Sequence, residues 1–143
     1  MEVHFEIFIA SGRFGSLSAR SSSSDIRRAF GEPDIFTPAR KSYPMMLVYG
    51  DVEFVLRNDR LTFAAISLLK KVPSLPPTMI LHGSVGASER CVDKVKEMLV
   101  RRGISWTLDV IMSEEGAPVF VTEKRVHLAF TQNILQRVGA EYI

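Results

Sequence analysis

An internal near-repeat constrains this chain more than any other feature. Val52, Phe54, Leu56 and Leu61 map onto Val126, Leu128, Phe130 and Leu135 at one offset of 74 residues, and the same offset lays Arg27-Arg28 on Arg101-Arg102. Each half reads helix, glycine, strand, hairpin, strand. A repeat of this size is a duplicated α-plus-β unit in which one half completes the core of the other. The expectation is an α+β fold: two tandem helix-plus-antiparallel-β-meander repeats, about 24–67 and 88–138, forming one compact domain over residues 1–143.

A chain of 143 residues hides roughly 68–70% of its extended surface on folding, so neither a disulfide nor a structural metal is required. Hydrophobic residues at 46% and charged residues at 24% are ordinary for a soluble globular protein. Cys91 is the only cysteine, which rules out an intrachain disulfide and fits a reducing compartment. The first residues carry Glu2 and Glu6 and lack the basic start and apolar run of a secretory signal. Apolar stretches such as Phe63 to Ile66 are far below the ~20 residues of a membrane helix. The expectation is a cytoplasmic protein without a membrane partner.

Local signals place the elements. Residues 3–9 alternate as a strand would, yet Val3, Ile7 and Phe8 also serve a helix, and both readings stand. Gly12 to Ser24 reads as loop. Ser24 offers an N-cap, Ile26, Ala29 and Phe30 form an apolar stripe, and Gly31-Glu32-Pro33-Asp34 ends that helix. Met45–Tyr49, Val52–Arg57 and Leu61–Ser67 are strands separated by turns at Gly50-Asp51 and Asn58-Asp59. Lys70 to Ala87, with three prolines, connects the halves. A second helix runs from an N-cap at Ser88 to about Arg102 and closes at Gly103. Strands follow at Ile104–Val110, Val119–Val121, from Val126 through Phe130, and at Ile134–Val138, with turns at Glu114–Ala117 and Gln132-Asn133.

No set of residues points to catalysis or metal binding. His4, His82 and His127 stand far apart in sequence, none at ligand spacing from another, and one cysteine makes no zinc pattern. Cys91 lies in the first turn of the second helix, where the helix dipole favours a thiolate, but the sequence sets no base beside it. His82-Gly83-Ser84-Val85-Gly86 lacks the Lys-Ser/Thr ending of a phosphate loop and reads as connector. The doublets Arg27-Arg28, Arg40-Lys41, Lys70-Lys71, Arg101-Arg102 and Lys124-Arg125 sit at element ends as solvated dipole partners. Expected are no catalytic residue, no metal, no cofactor and no small-molecule substrate. Nucleic acid is an unlikely partner at a net charge of only +2.

Several stretches resemble a loose family of small bacterial proteins that look like immunity partners of secreted toxins. They are Gly12-Arg13-Phe14-Gly15, Ile26 through Phe30-Gly31-Glu32-Pro33-Asp34, Tyr49-Gly50-Asp51-Val52-Glu53-Phe54, Leu75-Pro76-Pro77, and the helix end Val95…Leu99…Gly103-Ile104. The Gly-Met usual before the first helix is replaced by Leu17-Ser18-Ala19-Arg20. The resemblance implies a non-enzymatic protein that binds and occludes a cognate toxin domain, in a layout similar to inhibitors built from two helix-plus-sheet repeats. An alternative function is a nucleic-acid-binding or regulatory module using the basic doublets. For a protein partner, the expected contact surface is the sheet face opposite the helices. There Glu53, Val55 and Arg57 alternate with core residues, and His127 and Ala129 take the matching places in the second half.

Overall fold

The computed structural model describes residues 1–83, 86 and 88–143. In chain order the elements are β1 (Glu2–His4), α1 (Phe5–Ser11), α2 (Ser23–Phe30), β2 (Ile35–Thr37), β3 (Met45–Tyr49), β4 (Val52–Arg57), β5 (Arg60–Ser67) and β6 (Ile80–His82), then α3 (Val92–Arg101), β7 (Trp106–Leu108), β8 (Val119–Thr122), β9 (Val126–Thr131) and β10 (Ile134–Glu141). Eight strands form one antiparallel sheet in the order β2-β3-β4-β5-β10-β9-β8-β7, and β1 and β6 make a separate parallel ribbon. The α+β class expected from the sequence is the class observed.

Sequence alternation becomes sheet polarity. In β4 the residues Val52, Phe54 and Leu56 are buried while Glu53 and Val55 are half-buried, and β9 repeats the pattern with Val126, Leu128 and Phe130 against His127 and Ala129. Antiparallel pairing keeps directly opposed side chains on one face, so these six buried residues of β4 and β9 point the same way. Onto them pack Phe8 and Ile9 of α1, Ile26 and Phe30 of α2, and Val95 and Leu99 of α3, in one continuous core. Phe54 is fully buried at its centre, with the rings of Phe14, Phe30 and Tyr49 at 5.3, 5.5 and 6.0 Å.

The hairpins follow from turn chemistry. Asn58-Asp59 and Gln132-Asn133 all have positive φ, between 51° and 65°, the two-residue geometry whose twist matches the flanking strands. Just past each turn one extra residue is inserted, Thr62 in β5 and Gln136 in β10. These bulges restore the alternation, so that Ala64, Ile66, Val138 and Ala140 all face the core.

Several expectations are corrected. Residues 3–9 are neither one strand nor one helix: β1 ends at His4 and α1 starts at Phe5. The N-cap of the first core helix is Ser22, not Ser24, because Ser22 and Asp25 satisfy each other's backbone amides in a capping box. The N-cap of α3 is Cys91, not Ser88. Leu135 and Val92 amides donate to the Arg90 and Asn133 carbonyls at 2.8 Å, pinning this backbone extended beside β10 until Val92. β7 stops at Leu108 instead of Val110, where Ser113 N–H closes a turn onto the Asp109 carbonyl at 3.0 Å. β10 runs on to Glu141, past Val138. The connector contains β6, and β2 precedes the first expected strand; Ser84, Val85 and Ala87 of the connector lie outside the described residues. Among the described residues no helix is long and apolar enough to cross a membrane.

Candidate partner-binding face

With the helices gathered on one side, the other side of the sheet carries the alternate residues of every strand. Register places Val48 and Met46 of β3 beside Glu53 and Val55 of β4, then Ala65 and Phe63 of β5. Across the centre, Ala65 and Phe63 stand opposite Gly139 and Glu141 of β10, followed by His127 and Ala129 of β9 and Val121 and Val119 of β8. Glu53, Val55, Arg57 and His127, expected to share a surface, do share this one.

Two of the four are tied into a network. The Arg137 guanidinium donates to the Glu53 carboxylate, crossing from β10 over β5 to β4. Arg137 also stands 5.8 Å from the Phe63 ring centre. His127 meets the same ring edge-on at 6.0 Å, and its Nε2 is 2.9 Å from Glu141 Oε2. Carboxylate, guanidinium, aromatic ring, imidazole and carboxylate thus form a chain over the middle four strands. Partial exposure, with side chains at 28% for Glu53, 47% for Arg137 and 30% for His127, leaves it within reach of a partner. Arg57 is exposed and makes no ion pair among the described residues.

Phe63, Arg137, Gly139 and Glu141 were not legible as site residues from sequence. One signal existed: a glycine inside an apolar strand pattern marks a close approach. A Cβ on Gly139 would lie 2.9 and 3.0 Å from Phe63 Cε1 and Cε2, and closer still to Cζ. Gly139 is therefore the floor on which the Phe63 ring rests.

Elsewhere the structure brings together groups that the sequence separates. Parallel pairing of β1 with β6 stacks His4 on His82 at 4.7 Å, and Glu2 meets His82 Nε2 at 3.0 Å. Among the described residues no group of three His, Cys, Asp or Glu side chains is placed to hold a metal ion. A cleft of about 260 Å³ between α1 and α3 has Phe5, Ile9, Val95 and Met98 as its floor. Its rim charges engage one another, Lys94 with Glu97 at 3.7 Å and Arg101 with Glu6 at 3.0 Å. Glu6 also accepts from Arg102 Nε at 2.8 Å. The Arg102 hydrogen bond, then the Arg101 one, holds the Glu6 carboxyl below its ordinary range. Burial pushes the hydroxyls of Tyr49 and Tyr142 up; they donate to the Gly31 and Gly12 carbonyls, fastening loops beside α2 and α1. Of the basic doublets, Arg27 pairs with Glu32, Arg28 with Asp25 and Lys70 with Asp51.

Fold and site together define an α+β protein with an eight-stranded antiparallel sheet, helices on one face and a pre-organised polar-aromatic network on the other. Comparison of the chain with protein-family models, with curated proteins and with solved structures gives no match in any of the three.

Proposed function

We propose that this chain is a non-enzymatic, cytoplasmic immunity protein that binds a cognate bacterial toxin domain and occludes it. In this reading its two halves are copies of one helix-plus-meander unit. The observation that carries the proposal is the sheet face opposite the helices. It is half-exposed, apolar along β3 and β8, and crossed by a network whose polar groups are already satisfied by one another. A surface that keeps its shape before binding avoids the side-chain ordering cost of association, and an apolar ground with an aromatic and an arginine at its centre is the composition of interface hot spots. The duplicated-unit reading is supported by turns and bulges that recur 74 positions apart, Asn58-Asp59 with Gln132-Asn133 and Thr62 with Gln136.

The test is calorimetric titration of the neighbouring gene's product against wild-type protein and the variants Val55→Glu and Arg57→Glu, with urea unfolding as a folding control. Truncating or reversing a hot-spot side chain costs about 2 kcal/mol or more, so each variant should bind roughly 30-fold more weakly or worse. Tight binding indifferent to changes at Glu53, Val55, Arg57 and His127 would remove this face as the interface. The alternative, a nucleic-acid-binding module, has less to draw on, because Arg27-Arg28 and Arg101-Arg102 are engaged with carboxylates of their own chain.

A further inference from the structure

The remaining basic residues are sorted by the topology. The β2–β3 connection, the β4–β5 turn and the β8–β9 turn all lie at the same end of the sheet, the end at which β3 begins and β4 ends. These three segments hold Arg40, Lys41, Arg57, Arg60, Lys124 and Arg125, all exposed, and none makes an ion pair among the described residues. Arg57 and Arg60 are direct cross-strand partners, an arrangement of like charges that weakens a hairpin. Arg60 donates at 3.0 Å to the Arg20 carbonyl. Against these cations stand the carboxylates Asp59, which accepts from Ser23 N–H, Glu123, which accepts from Ser105 N–H, and Glu141, which meets His127, so positive charge stays in excess.

The opposite end has the reverse sign. There the chain places Asp34, Asp51, Asp109, Glu114 and Glu115, with Lys70 drawn onto Asp51 at 3.5 Å, Lys71 nearby and Arg90 buried against the Leu68 carbonyl. The two ends are about 20 Å apart along a six-residue strand, more than two Debye lengths at physiological salt, so a partner at one end scarcely feels the other. Across the sheet, the cationic turns spread over about five strand spacings, roughly 24 Å.

We propose that this basic end is a docking edge for an acidic protein surface, and that the toxin domain bound on the sheet face carries a complementary cluster of carboxylates. The inference rests on the partner-binding reading and names the chemistry of the partner. A protein fits better than a nucleic acid because the cations border an apolar ground of Met46, Val48, Val55, Phe63 and Val121. A phosphate backbone would leave that ground uncovered, whereas a protein interface covers it within a charged rim. Tyr43, 68% exposed between the β2–β3 cations and β3, adds a side chain of the kind that anchors protein interfaces. Rim charges of this sort act chiefly by speeding encounter.

Poly-L-glutamate is the probe for the basic end, used with wild-type protein, the variant Arg40→Ala/Lys41→Ala/Lys124→Ala/Arg125→Ala, and a control Glu114→Gln/Glu115→Gln at the acidic end. Wild type should bind it at low salt. Binding should weaken at least tenfold in the fourfold variant, and change less than about twofold in the control, since surface charges beyond a Debye length are screened. Absence of binding, or binding untouched by the fourfold change, overturns the inference. A duplex oligonucleotide bound below about 1 µM at physiological salt, tighter than the usual non-specific range, and lost in the fourfold variant, overturns it in favour of nucleic acid. The two readings fail separately. If the neighbouring gene's product binds through Val55 without response to salt or the fourfold variant, the charge inference falls and the face stands. If poly-L-glutamate follows the doublets while no face variant affects that product, the face falls and the charge inference stands.

Discussion

Replacing Gly139 by alanine tests whether the network on the open face is built as described. Gly139 lies opposite Ala65 on one side and His127 on the other, in the strand that joins the halves. Its φ lies outside the left-handed region, so alanine suits the backbone. The obstacle is the Phe63 ring, whose Cε1 and Cε2 would stand 2.9 and 3.0 Å from the new methyl carbon, against about 3.5–4.0 Å for a comfortable carbon contact. With Cζ closer still, the ring must move off Gly139, which disturbs its contacts with His127 and Arg137. Such overpacking costs about 1–3 kcal/mol, and relief of the glycine's unfolded-state entropy returns about 0.5–1 kcal/mol. The net expectation is a loss of about 0–2.5 kcal/mol, the difference between those ranges.

The sign should reverse when the ring is absent. In a Phe63→Ala background only the entropic term remains, so Gly139→Ala should be neutral or stabilising by up to about 1 kcal/mol. Urea unfolding of the four proteins gives the double-mutant cycle, with an expected coupling of about 1–3 kcal/mol for groups in contact. Equal destabilisation in both backgrounds would place the cost in the backbone and refute the seat assigned to Phe63. Stabilisation in the wild-type background would refute the contact itself.

Two further outcomes follow from the caps and the charges. Ser22→Ala should destabilise by about 0.5–2 kcal/mol, as loss of an N-cap does, while Ser24→Ala, at an exposed helical position, should be neutral or slightly stabilising; thermal or urea unfolding distinguishes them. Glu6→Gln should lower stability at neutral pH. Because the Glu6 carboxyl is held below its ordinary 4.5, its contribution is full above that value and fades as pH falls through the depressed folded pKa. The gap between wild type and Glu6→Gln should therefore close below pH 4.5; a gap constant from neutral to acid pH would show that the Arg101 and Arg102 bonds do not stabilise the fold.

How much of this was readable in the residues depends on the range over which each feature is decided. Alternation and turn chemistry are local, so β3, β4, β5, β8 and β9 lie where the sequence places them within a residue or two. Capping is a local competition: Ser22, Ser23 and Ser24 all qualify, and Asp25, three residues after Ser22, decides for Ser22. Pairing of β1 with β6, which unites His4 with His82, depends on partners 78 positions apart and leaves no periodic trace. The partner face was half legible for the same reason. Alternation puts Glu53, Val55, Arg57 and His127 on the polar side of their strands, but only the adjacency of β5 and β10 brings Phe63, Arg137 and Glu141 between them.

That adjacency also says why the halves belong to one folding unit. β5 and β10 are each eight residues long and meet through Ala64 opposite Ala140, Ala65 opposite Gly139 and Ile66 opposite Val138. Small residues at this seam leave room for larger neighbours on both faces, and Phe63 closes the gap left by Gly139 on the outer side. Arg90, almost wholly buried at this seam, donates to the Leu68 carbonyl while its own carbonyl accepts from Leu135 N–H. Separated, either half would expose a long, mostly apolar edge strand, a template for association with other chains. Arg137 reaches Glu53 and His127 reaches Phe63 only across this junction, so the surface assigned to the partner exists only when both halves are joined.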